Sequence, residues 1–281
     1  MKKRTQSLAS LSGMVVAILV LLLAMASAAQ AQTGAQKEDP RAAKVLRVFE
    51  QTRKTLVETS SPDAVVKDFE LARQQFQSGD VDQALSSVER TMSREARKPT
   101  FRVLWAIYDQ IVQEYAKFER AVAFLQNLVT TYPNVADVRA ALAAAYGEYA
   151  GALERTQPPN IGEVIRYANL SLQHLDVALA IDPDNFMARL GRAITYSYAP
   201  GGMKNAEEDF NELLALQVRR KHPWFPYQMV YIFYADTLKR GGKPDRAAEV
   251  LRLGLTYYPL DENLKKGLEE LSGASGANTS K

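Results

Sequence analysis

The side chains able to carry chemistry are few and far apart. The two histidines, His174 and His222, stand 48 positions apart. Neither sits in an HExxH, GxSxG or phosphate-loop pattern that would bring it a metal, a nucleophile or a nucleotide. His174 falls in a helical stretch and reads as a packed or surface histidine. His222 belongs to Arg219-Arg220-Lys221-His222-Pro223, a basic run that suits an anion but reads better as a solvated loop. Glu207-Glu208 and Glu269-Glu270 are adjacent in sequence, so on a helix they diverge by about 100° and make no acid–base pair. Asp182-Pro183-Asp184-Asn185 resembles the start of a calcium loop, lacks the later Gly and closing Glu, and reads as a helix stop and N-cap. The absence of Cys excludes thiol catalysis, disulfides and Cys-ligated metal or iron–sulfur centres. This inventory points away from an enzyme and implies no cofactor and no metal.

The elements that hold these residues are more informative. At 281 residues, 47% hydrophobic and 24% charged, with 15 Gly and 12 Pro, the chain has the composition of a globular protein, not a fibrous or low-complexity one. Residues 1–31 read as an export signal: Lys2, Lys3 and Arg4 precede an apolar core over 14–26, and Ala29-Gln30-Ala31 supplies the small residues of a cleavage site before Gln32. An uncleaved N-terminal membrane anchor is the alternative, although 13 core residues fall short of the roughly 20 needed to span. Lys2, Lys3 and Arg4 account for the whole formal charge of +3, so the cleaved chain is near neutral and a poor ligand for nucleic acid. Periplasmic or secreted localisation follows from the signal.

Beyond a polar linker, residues 32–61 contain one helix introduced by Asp39-Pro40, with Val45, Leu46, Val48, Phe49, Leu56 and Val57 on an apolar face. Ser61-Pro62 repeats the capping signal. The chain then repeats itself over residues 62–261. Ala84, Ala121, Ala206 and Ala247 are each followed four positions later by a larger apolar residue, Val88, Leu125, Phe210 and Leu251. The intervals of 37 and 41 lie just above a 34-residue unit, and Pro133, Pro183 and Pro259 end helices at matching spacings. Tyr234-Ala235, Leu238, Gly242, Ala247, Leu251, Gly254 and Pro259 form the fullest copy. Trp105, Tyr108, Ala121, Leu125 and Pro133 form another, in which Asp109 replaces the usual Gly or Ala. Leu71-Ala72, Gly79-Asp80, Ala84-Leu85 and Val88 make a weaker copy, as do Ala193, Tyr196, Ala206, Phe210 and Leu213. A divided copy, Leu142-Ala143 and Tyr146 with Leu175, Ala178 and Pro183, carries roughly 16 extra residues around the loop Thr156-Gln157-Pro158-Pro159-Asn160.

These residues resemble the tetratricopeptide repeat (TPR) family. The resemblance implies an all-α solenoid of about five helical hairpins, one with an insertion, closed by a capping helix over 262–271 and a frayed tail to 281. It implies that the first helix of each hairpin lines a concave groove. In family register the lining is Phe69, Arg73 and Phe76, then Ala106, Gln110 and Glu114, then Ala140, Ala144 and Gly147. Met187, Leu190, Ile194, Tyr198, Met229, Ile232, Asp236 and Lys239 follow. The lining lacks the Lys/Asn clamp that captures a chaperone's terminal carboxylate, and its second half is apolar. Trp224 and Phe225 precede the last hairpin and are candidate anchor side chains. The implied function is a non-enzymatic, exported scaffold or adaptor of a Gram-negative-type envelope that takes a protein or peptide partner in the groove. The alternative is a periplasmic small-ligand component of the kind associated with TRAP-type solute transporters, which a closed apolar pocket in the last two repeats would favour.

Overall fold

The computed structural model describes residues 39–59, 61–219 and 227–277, and among these the chain is all α, with twelve helices. The expected export signal over 1–31, linker residues 32–38 and the stretch carrying His222, Trp224 and Phe225 lie outside the described residues. Helix α1 (Pro40–Glu58) opens on the cap legible in sequence: Asp39 Oδ1 accepts the Arg41 backbone N–H at 3.0 Å, and Pro40 fills the first turn, where no donor is needed. Val45, Val48, Phe49 and Leu56 are buried, whereas Val57 is 56% exposed.

Five hairpins follow: α2 (Asp63–Gln77) with α3 (Val81–Glu95), α4 (Thr100–Glu114) with α5 (Phe118–Thr131), α6 (Ala136–Glu154) with α7 (Ile161–Ile181), α8 (Phe186–Tyr198) with α9 (Met203–Arg219), and α10 (Gln228–Arg240) with α11 (Pro244–Tyr257). Helix α12 (Glu262–Ala277) packs on α11 and α10. The Ser61 cap does not form. Ser61 Oγ lies 3.2 Å from Thr59 Oγ1, and Pro62 takes the N-cap position of α2 without a side-chain bond.

Two other expectations change. The extra residues of the third hairpin are largely helix: α6 and α7 run 19 and 21 residues, against 13 to 17 in the other hairpins. Only 155–160 connects them, and Asn160 caps α7 by accepting from the Glu163 N–H at 3.3 Å. The alanines of this stretch have the highest helix propensity, and Ala140 and Ala143 pack closely with Leu175 and Ala178 of α7. Likewise α12 continues to Ala277, past the frayed tail expected from residue 272, since extending an existing helix adds one hydrogen bond per residue fixed.

The chain forms two compact units, one ending at Ala188 and the other beginning at Arg189. In the first, α1 to α6 share one core that includes Phe49, Leu85, Leu104, Leu125 and Leu142. In the second, Phe210 stacks on Tyr234 at 5.0 Å, and buried Asp209 ties α9 to α8 through Arg192, bidentate at 2.8 Å, and Arg189 at 3.0 Å. Gly254 marks a close approach: a Cβ there would lie 2.9 Å from Tyr231 Cγ and 3.1 Å from Leu264 Cδ1. Two residues past α2 and past α10 the chain turns through Gly79 at φ 88° and Gly242 at φ 73°. At the same place after α4 stands Ala116, at φ 52°.

Candidate interaction surface

Within the first unit, α1 lies across α4 and α2. Its Phe49 ring sits 5.3 Å from that of Phe69 and 5.6 Å from that of Phe76, and Phe76 meets Tyr115 edge-on at 5.8 Å. Ion pairs flank this aromatic centre. Arg53 reaches Glu70 at 2.5 Å, Arg73 lies 3.6 Å from Glu50 and 2.8 Å from Glu70, and Lys44 donates to Glu114 Oε1 at 3.2 Å. Gln110, fully buried, donates to the same Glu114 oxygen at 3.1 Å.

Phe69, Arg73, Phe76 and Glu114, which touch α1, and Gln110 beside them are five of the six residues that family register assigns to the groove lining of the first two repeats, the sixth being half-buried Ala106. That face is therefore already covered, and Phe69 is 1% exposed. The inward side chains of α1, Val45, Val48, Phe49, Thr52 and Leu56, follow i, i+3, i+4, i+7 and i+11, the anchor spacing of a helix laid into a groove. Sequence reasoning saw this apolar face but not where it docks, because periodicity gives a helix a face and no address.

Next to it, α4 and α6 enclose a carboxyl pair absent from the sequence reading. Asp109 and Glu148 are both buried, and Gln113 Nε2 donates to Asp109 Oδ2 at 2.8 Å and to Glu148 Oε1 at 3.2 Å. Burial holds both acids above the ordinary carboxylate range, and the proximity of Asp109 raises Glu148 further. The signal available was Asp109 itself, standing where the repeat wants a small residue.

In the second unit the assigned lining is mostly interior. Leu190, Ile194 and Met229 are buried, at 5%, 5% and 4% exposure, so they are not an open apolar surface; Ile232, Tyr198 and Asp236 are half-buried. Helix α10 buries residues on all sides, among them Val230, Tyr231 and Phe233, which leaves little of it to line a groove. Arg240 unites what remains, its guanidinium 4.1 Å over the Tyr198 ring and its Nε donating to Asp236 Oδ2 at 2.9 Å. In the first unit, Met187 packs half-buried against the alanine-rich core of α6 and α7, where Ala140 also lies.

The remaining polar candidates are structural. His174 is half-buried, 5.7 Å from the Tyr146 ring, and burial with the nearby Arg139 lowers its pKa. Asn185 caps α8, accepting from the Ala188 N–H at 3.0 Å, and donates to Asp137 at 2.7 Å. An open cleft of about 360 Å³ is lined by Asp68, Leu71, Ser87, Arg90, Ser93 and Arg94 of α2 and α3, with Arg94 paired to Asp68.

No family model matches the chain, and no curated protein does. Solved structures do. A thermophilic TPR protein of Thermus thermophilus superposes at TM-score 0.54 with 19% identity, over 74% of this chain and 98% of its own. The fold is the TPR fold. A TPR protein of Parabacteroides merdae matches 78% of this chain and 76% of its own at TM-score 0.49 and 18% identity. A human IFIT1 dimer with m7Gppp-AAAA matches 84% of this chain over 60% of its own at TM-score 0.42 and 15% identity. In TPR terms α2, α4, α6, α8 and α10 are first helices of their repeats, and α1 covers the first-helix faces of repeats one and two. No helix among the described residues is long and apolar enough to cross a membrane.

Proposed function

We propose that this protein is a non-enzymatic TPR scaffold of the bacterial cell envelope that binds protein partners through its first-helix faces. One observation carries the reading: in this chain such a face holds an amphipathic helix, with an aromatic centre and ion pairs around it. The same chemistry serves a helix supplied by another protein. Export is supported by the basic start, apolar core and Ala29-Gln30-Ala31 of the N-terminal segment. The mature protein should begin at Gln32, which N-terminal sequencing reads directly; an intact Met1 form in the membrane fraction would make it an anchored protein instead.

Affinity capture from envelope extract, with and without detergent, tests the adaptor role. A recurrent protein that is lost on Arg73→Glu supports it. A co-purifying metabolite with no recurrent protein would favour the small-ligand component of a TRAP-type transporter.

A further inference from the structure

We propose that α1 is a displaceable resident of the groove, and that the first-helix faces of α2 and α4 are a docking site for an amphipathic helix of another protein. This rests on the adaptor reading and names its partner chemistry. The site asks for an aromatic side chain between Phe69 and Phe76, an apolar residue one turn before it, a small side chain one turn and an apolar one two turns after it, a cation for Glu114, and an anion and a cation for Arg73 and Glu70. Helix α1 meets this with Phe49, Val45, Thr52, Leu56, Lys44, Glu50 and Arg53.

Three observations make α1 the element that can leave. It is not half of a hairpin, so its departure breaks none of the five. In each of its ion pairs the α1 member stays in water, with the side chains of Lys44, Arg53 and Glu50 42%, 52% and 65% accessible against 9%, 25% and 26% for Glu114, Glu70 and Arg73, so leaving costs α1 little hydration and the pairs hold it less than fully buried ones would. Its departure uncovers Phe69 and Phe76, an aromatic patch of the sort that marks a protein-binding site.

The probe is a synthetic, end-blocked peptide of residues 40–58, titrated by fluorescence anisotropy into the full chain and into a Val45→Ala/Leu56→Ala variant whose own α1 is loosened. The variant should bind at least about tenfold more tightly, because its groove is vacant for a larger fraction of the time. Adding Arg73→Glu should weaken that binding, and a peptide carrying Glu50→Arg should restore it. Hydrogen exchange on the unmodified chain is the second measurement: saturating peptide should speed exchange in α1 and leave α4 protected. Equal affinity for both chains, or no binding to a variant whose α2 to α5 stay protected, overturns the proposal. So does α1 exchanging no sooner than α4 in the unmodified chain. A concentration-dependent dimer whose assembly tracks α1 exchange overturns it in favour of a second copy of this chain. If the peptide arms fail while envelope capture still depends on Arg73, the adaptor reading stands without α1; the reverse result separates them the other way.

Discussion

Asp109 and Glu148 couple stability to pH in the opposite direction to an ordinary ion pair. Among the described residues the donor facing the pair is the neutral Gln113, which they share. Burial raises both folded pKa values above the unfolded ones, so the protonated pair's contribution is complete below the ordinary carboxylate range and is lost as pH rises through the raised folded values. We expect thermal stability to fall between pH 5 and pH 9. Glu148→Gln, whose amide N–H can donate to Asp109 and does not titrate, should flatten the dependence and gain roughly 1–3 kcal/mol at pH 9. Urea titrations of both chains at the two pH values check this. At the same scale, Ile194→Glu places a carboxylate at a 5% exposed site and should cost roughly 3 kcal/mol or more. Ile232→Glu, at a half-buried site, should cost roughly half of that. Register alone made these two residues equivalent; side-chain burial separates them, and burial depends on helices distant in sequence.

Among the elements, helix positions were legible because apolar periodicity, Asp39-Pro40 and the helix-ending prolines are local signals. The growth of α6 and α7 into the supposed insertion was partly legible in alanine content, whereas Pro158-Pro159 marks only the six residues 155–160 that connect the two helices. The docking of α1 was not legible, since Phe49 meets Phe69 and Phe76 across a chain reversal that no repeat spacing encodes. Turn chemistry gives two predictions. Ala116 holds a left-handed backbone where the sister turns use Gly79 and Gly242, so Ala116→Gly should stabilise by about 1 kcal/mol, read as a raised Tm. Gly254→Ala should destabilise by about 1–3 kcal/mol, because its Cβ would meet Tyr231 of α10 and Leu264 of α12.

For the molecule as a whole, the proposed cleavage before Gln32 would remove Lys2, Lys3 and Arg4 and leave no net charge. The mature protein should therefore pass through a heparin column at physiological salt; firm retention would reveal a basic face that the total conceals. The four residues between α1 and α2, 59–62, set a threshold of another kind. So short a tether keeps the resident helix at an effective concentration of the order of millimolar. A free helix present at micromolar level must then bind about a thousandfold better than α1 to take half of the sites. Lengthening the tether lowers that bar without altering a single contact, so the length of residues 59–62, as much as any groove side chain, selects which partners are strong enough to enter.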